Sequence, residues 1–335
     1  MIHLFQKNVN DELDAIEKLI AKGERDFAKA FREYLKTLKS AAMIRAVRQF
    51  LENNDIEGLI AHINKAQKPF GKVLAELMIA AGTAEVAALK PKIQRKLNRI
   101  KPPGTPNPTV GIDFQVSNPR AASILQEQTS RLIREINESQ RLTIFQVLAA
   151  TQTEGKTPRQ AAQTIVNNIG LTSRQEQAVS NYERLLRAGN KEALDRDLRD
   201  RRFDRAVRRM EEKPLTADQI GRMVSRYREK YERYRASVIA RTESHTAVNA
   251  ARQEALLQSV EQSGIDPATV KREWRATRDK RTRDSHNEET GTKVGLQEPF
   301  VINGARLLHP GDRSLGAPAK ETINCRCVTV TRFEG

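Results

Sequence analysis

Two cysteines, Cys325 and Cys327, stand one residue apart in Ile323-Asn324-Cys325-Arg326-Cys327, and the chain has no others. In an extended backbone side chains alternate, so both sulfurs take one face and Arg326 takes the other. The two thiols are too close along the backbone for an ordinary mutual disulfide. Metal binding, a buried thiol pair, or bridges to another chain remain. His286 and His309 would complete a tetrahedral zinc site of two sulfurs and two nitrogens with Cys325 and Cys327. In the plainer alternative the thiols pack under a turn, and His286 bonds Asp279 or a backbone carbonyl.

Asp279, His286, His309 and Asp312 are also the residue types of a metal-dependent nuclease or hydrolase. No H-E-x-x-H, P-loop, nucleophile elbow or paired-histidine spacing accompanies them. Cys325 as nucleophile with His286 as base is a further alternative, but a second cysteine beside it argues for scaffold. The expectation is a protein that is not an enzyme.

The residues around these groups form a pattern of their own. The run W-x-x-x-x-D-x-R-T-R-x-x-H extends from Trp274 to His286, and Gly291 follows it. Then come L-L-H-P-G-D from Leu307 to Asp312, Gly316-Ala317-Pro318, and I-N-C-R-C. The pattern resembles the C-terminal signature of the phage head-morphogenesis family, the Mu F-like minor head proteins. It covers roughly residues 236 to 332, with Ala240-Arg241-Thr242-Glu243 as its leading edge. The resemblance implies that Trp274, Asp279, Arg281, Arg283, Asp312, Asn324 and Arg326 are motif residues of a structural domain. Related sequences often carry a cysteine where His286 stands, which favours metal at this spot. Against it, Arg283 occupies another of those cysteine positions, and Thr322 stands where some relatives have a histidine.

What the resemblance implies for function is a minor head protein of a tailed phage or prophage. Such a protein joins the procapsid near the portal, touching portal, capsid and scaffold proteins. It assembles in the host cytoplasm and ends inside the head with the packaged double-stranded DNA. A metal-dependent nuclease or other DNA-processing enzyme is the competing class. The same C-terminal domain also occurs fused to toxins, which makes a secreted-toxin module the third reading.

The elements that must position these groups are mainly helices. The fold class expected is mainly α, elongated and in several helical units, with a small C-terminal α+β domain. Phe27, Phe31, Leu35 and Leu38 recur at helical spacing in an N-terminal helical unit over residues 1–100. Asn53-Asn54-Asp55 and Gln67-Lys68-Pro69 interrupt it. Residues 101–117 read as a linker, because Lys101 to Pro108 holds four prolines and a glycine. Val110 to Val116 reads as a short strand. A helical middle region spans 118–237, with Thr157-Pro158 starting one helix and Thr172 or Ser173 capping the next. Leu215-Thr216-Ala217-Asp218 opens a long helix toward Gly264. The C-terminal domain takes 238–335, where short apolar pairs alternate with Gly, Pro and Asp.

On the long helix Met223, Tyr227, Tyr231 and Tyr234 form a stripe between arginines. A stacking platform for single-stranded nucleic acid is the sharper reading. Its core periodicity makes a buried helix face the better one.

Charge points to an anionic partner. Lys and Arg number 58 against 42 Asp and Glu, a net of +16 with a pI near 10. Nothing suggests base readout, so the partner expected is double-stranded DNA without sequence preference. Arg201, Arg202, Arg205, Arg208 and Arg209, with Arg226 and Arg233, are the candidate phosphate contacts. Interspersed Asp195, Asp197, Asp200 and Asp204 spend part of that charge locally. The first residues lack an apolar run behind a basic one, so no signal peptide is expected. No stretch suits a membrane span, and two cysteines fit folding in a reducing cytosol.

Overall fold

The computed structural model describes residues 2–334 except 54, 68, 155, 156, 169 and 278, with 2–10 and 151–154 as backbone only. It is mainly helical, with short antiparallel strands confined to the C-terminal region. Long helices α1 (Ile2–Leu38), α4 (Pro69–Ile100), α5 (Pro119–Glu154) and α9 (Ala217–Ser263) alternate with the shorter α2 (Ala41–Glu52), α3 (Ile56–Asn64), α6 (Pro158–Asn168), α7 (Ser173–Arg187) and α8 (Asp204–Arg208). Among the described residues, no helix is long and apolar enough to cross a membrane.

Local chemistry sets the helix ends. Ser40 accepts from Met43 N–H to start α2, and Asp55 accepts from Gly58 N–H to start α3. Asn54 and Lys68, in the expected breaks, lie outside the described residues. Thr172 and Gln175 form a reciprocal capping box on α7. Thr216 and Gln219 do the same at the start of α9, through bonds of 3.3 and 2.9 Å. At the far end of α9, Gly264 takes φ +66°, which a residue with a Cβ rarely adopts.

The chain folds as two compact units, each assembled from segments that are far apart in sequence. One holds residues 1–28, 70–130 and 238–335; the other holds 29–69 and 131–237. Each unit draws on distant segments because helix faces far apart in sequence bury one another.

In the second unit, Tyr182, Leu185, Leu186, Val207, Met223 and Tyr227 are among the residues of a continuous core. Tyr182 and Tyr227 rings lie 4.3 Å apart, and Tyr231 meets Tyr227 edge-on. The tyrosine stripe is therefore core over Met223, Tyr227 and Tyr231. Tyr234 departs from it: 50% of its surface is exposed, while Arg235 is buried and donates to the Gly170 carbonyl. The buried face continues in steps of four from 227 to 231 to 235, which turns position 234 outward.

In the first unit, Leu89, Ile93, Val110, Ile112, Leu256, Val260 and Val270 share another core. The segment from Val110 to Val116 is not a ladder strand, contrary to expectation. Its extended backbone is instead satisfied by two side chains of α9. Gln258 accepts from Gln115 N–H and donates to the Gln115 carbonyl; Gln262 does the same for Asp113. Glutamines four apart on a helix thus serve residues two apart on an extended chain.

The C-terminal region opens with β1 (Val270–Arg275), followed by α10 (Asp284–Glu288), β2 (Lys293–Gly295), β3 (Phe300–Ile302), β4 (Ala305–Leu307), α11 (Ala319–Thr322) and β5 (Val328–Phe333). β1 lies between β2 and β5, antiparallel to both, with Trp274 opposite Thr329. β3 and β4 form a hairpin closed by Asn303 and Gly304, both at positive φ, as an Asn-Gly turn requires.

Candidate metal centre

The last turn of α11 leads into Asn324, whose φ of 57° is left-handed. Asn tolerates that conformation better than most residues, and the turn re-aims the chain into Cys325. From there the chain enters β5, and the alternation expected of C-x-C is realised. Both sulfurs point into a core with Trp274, Phe300, Ile302 and Leu307. Arg326 points the other way and meets Asp279 through two bonds of 2.5 Å.

His286 arrives from α10. Its Nδ1 lies 3.5 Å from Cys327 Sγ and 3.7 Å from Cys325 Sγ. Its Nε2 lies 3.1 Å from a carboxylate oxygen of Glu321 on α11. An ionised carboxylate only accepts, so Nε2 is the nitrogen that donates to Glu321, and Nδ1 faces the sulfurs. Asn303 donates to the other Glu321 oxygen at 3.2 Å. The rings of Trp274 and His286 meet edge-on at 5.6 Å. Among the described residues the buried Trp274 indole N–H has no hydrogen-bond acceptor.

The electrostatics of the trio follow from its burial and convergence. Cys325 is pulled well below the usual thiol range by its bond with Cys327 and by His286. Cys327 is driven up by Cys325 and by burial. Burial disfavours the His286 imidazolium, but Cys325 and Glu321 outweigh it and raise the ring. For Glu321, burial favours the neutral acid, yet Asn303 and His286 hold it below its ordinary value.

The chain brings together three of the four candidate metal ligands. His286, Cys325 and Cys327 are all buried, with ligand atoms within 4.8 Å of one another. His309 is not in this group. It sits in the Leu307 to Asp312 turn, buried, with Nδ1 3.2 Å from the Pro310 carbonyl. The expected four-residue set is therefore not assembled. His286 does not hydrogen-bond Asp279 as the plainer alternative had it; its partners are the thiols and Glu321. Glu321 and Asn303 escaped the sequence reading. The positive-φ Asn-Gly turn was the one local signal that residues here are positioned with care.

The other motif residues brace loops. Asp312 accepts from Leu308 and Ser314 N–H at 2.8 Å each, clamping the turn around His309. Arg283 donates to the Ile323 carbonyl at 2.6 Å. Arg281 is exposed, and its backbone N–H donates to the Asp279 carboxylate at 2.9 Å. Trp274 is fully buried; its N–H donates to the Thr292 carbonyl and its carbonyl accepts from Gly291 N–H, both at 2.9 Å. The polar face of α9 holds the same loops from the other side. Thr242 accepts from Asn324 N–H, and Asn249 donates to the carbonyls of Pro310 and Cys327. Arg241 and His245 share a face, both near Glu24 at 3.7 and 3.9 Å. Arg272, also missed, is fully buried beneath Phe300 and donates to the carbonyls of Gly295, Leu308 and Glu298.

Two clefts open on this unit, of about 650 and 360 Å³. Their walls include Ile265 and Leu296 in one, and Glu24, His245 and Arg326 in the other; neither is lined by His286, Cys325 or Cys327.

The candidate phosphate contacts lie in the second unit. Arg202 pairs with Asp200 at 2.6 Å, and Arg226 with Glu229 at 2.7 Å. Arg208, Arg209 and Arg233 have looser acidic partners at 4.0, 3.6 and 3.8 Å. Arg201 and Arg205 are exposed and form no ion pair among the described residues. Local pairing therefore uses much, but not all, of this positive charge.

A small antiparallel domain, wrapped on a long helix and closed around a buried Cys–Cys–His cluster, is the class of structure these observations define. Residues 186–330 match the family described as Phage Mu protein F like protein. Among curated proteins, the chain is 36% identical over 97 residues to the NAD(+)--arginine ADP-ribosyltransferase EFV of Enterococcus faecalis. That match covers 29% of this chain and 18% of that protein. It is 34% identical over 102 residues to the uncharacterized protein YqbB of Bacillus subtilis, covering 29% of this chain and 30% of that one. The chain thus matches less than a third of the length of either relative. No solved structure matches it.

Proposed function

We propose that this is a minor head protein of a tailed phage, acting in head morphogenesis. The observation that carries the reading is the family match over residues 186–330, which contains every motif residue from Trp274 to Cys327. During assembly the protein joins the procapsid near the portal, in the host cytoplasm, and stays in the head beside the packaged DNA. Its exposed arginines serve phosphate without reading bases, as its net charge of +16 favours. The role is structural: His286, Cys325 and Cys327 are buried, and neither cleft described above is lined by them. The ribosyltransferase relative shares too little of its length for its named activity to be carried over.

Co-purification tests this directly. The protein should sediment with procapsids and be captured with portal protein. Deleting its gene should leave particles that assemble but infect poorly. Its absence from washed particles would overturn the reading, as would divalent-metal-dependent cleavage of DNA by the purified chain.

A further inference from the structure

The geometry points to a zinc site made by Cys325 Sγ, Cys327 Sγ and His286 Nδ1, with Glu321 as the carboxylate that orients the histidine. This goes beyond the head-protein reading and does not depend on it.

Two independent features carry the inference. The first is spacing. Sulfur and imidazole ligands at about 2.3 and 2.0–2.1 Å from a zinc ion, set at the tetrahedral angle, stand about 3.6 Å apart. The observed separations from His286 Nδ1 are 3.5 and 3.7 Å. The second is the far side of the ring. Histidines that bind metal donate their other N–H to a carboxylate, which fixes the tautomer and strengthens the ligand. Glu321 does this at 3.1 Å, and Asn303 holds Glu321 in turn at 3.2 Å. A ring that merely filled space would not need a buried carboxylate on Nε2.

The donor set of two sulfurs and one nitrogen suits zinc over magnesium or calcium, which prefer oxygen. His309 is excluded from the set, since its ring is held in the turn before Asp312. Bound there, the metal would tie α10 to the chain entering β5 and to α11 through Glu321. It would therefore brace α10, alongside the ring packing of His286 on Trp274.

The test uses the full chain, purified without a metal-chelating tag. Elemental analysis should find about one zinc per chain, as a single site requires. Exchange with cobalt(II) should give the intense absorption of thiolate bound to cobalt. Glu321→Gln should keep one metal per chain but weaken zinc about 10- to 100-fold in competition with a chelator, the usual effect of losing a supporting carboxylate. His309→Ala should leave stoichiometry and affinity unchanged. Cys325→Ser with Cys327→Ser should lose the metal; should that variant fail to fold, the wild-type cobalt spectrum and the Glu321→Gln affinity still decide. A metal-free wild-type protein with an intact C-terminal domain and no cobalt–thiolate band would overturn the site. Unchanged affinity in Glu321→Gln would overturn the role of Glu321. Neither result touches particle association, which is measured separately.

Discussion

The Arg326 guanidinium grips the Asp279 carboxylate through two bonds of 2.5 Å, across 47 residues of sequence. Because Arg326 separates the two cysteines, the same three residues face a buried cluster on one side and this ion pair on the other. Asp279 holds its loop by accepting from Arg281 N–H, and Thr277 donates to the Arg326 carbonyl at 2.8 Å. The fork geometry of arginine is what makes the grip bidentate.

Arg326→Lys keeps the charge but loses the fork. The loop after Thr277 should open more often, and trypsin should cut after Lys280 and Arg281 faster than in the wild type. Equal cleavage rates would show that the pair does not hold the loop.

Arg252 is buried on α9 and bonds Glu85 at 2.6 Å and the Thr329 carbonyl at 2.9 Å, with Glu12 at 3.5 Å. Glu85→Ala strands the guanidinium, and the unit that contains it should lose about 3–5 kcal/mol. Arg252→Met combined with Glu85→Leu should cost less than Glu85→Ala, because no charge is left buried without its main partner. Urea unfolding of the three variants checks the order.

Burial, helped by Arg241 and Arg326, pushes His245 down from 6.5 to about 4, and nearby Glu24 does not offset this. Between these values the unfolded chain binds a proton that the folded chain refuses. The stabilising contribution is complete above pH 6.5 and is lost as pH falls toward 4. Relative to His245→Gln, the wild type should therefore lose up to about 3 kcal/mol across that window. Thermal unfolding of both proteins from pH 7 to 4 measures it; parallel curves would exclude His245 as the cause.

DNA affinity should fall steeply with salt, since each engaged phosphate contributes a slope of about −0.9 in log affinity against log salt. Arg201 and Arg205 carry no local ion pair among the described residues, so Arg201→Gln with Arg205→Gln should reduce the slope by about 2. Arg202→Gln should change it less, because Asp200 already engages Arg202 at 2.6 Å. Absence of any complex at low ionic strength would end the DNA-contact proposal.

What the sequence alone determined is what neighbours within a few residues can decide. Thr172, Thr216 and Gly264 mark helix ends because capping and positive φ are local chemistry. The burial of Phe27, Phe31, Leu35 and Leu38 follows from helical period, and the shared face of Cys325 and Cys327 from strand period. The motif from Trp274 to Cys327 was likewise legible, since it is an order of residue types. Tertiary structure decided which distant turns converge. It chose His286 and not His309 for the cysteines, and it supplied Glu321 and Asn303, which no spacing announced. It also turned Tyr234 outward, and it satisfied the backbone at Asp113 and Gln115 with glutamines from α9, where a strand partner was expected. The reason is physical: a side chain's local propensity extends about one helical turn or two strand residues, whereas these partners lie tens to more than a hundred residues away and meet only when apolar faces pack.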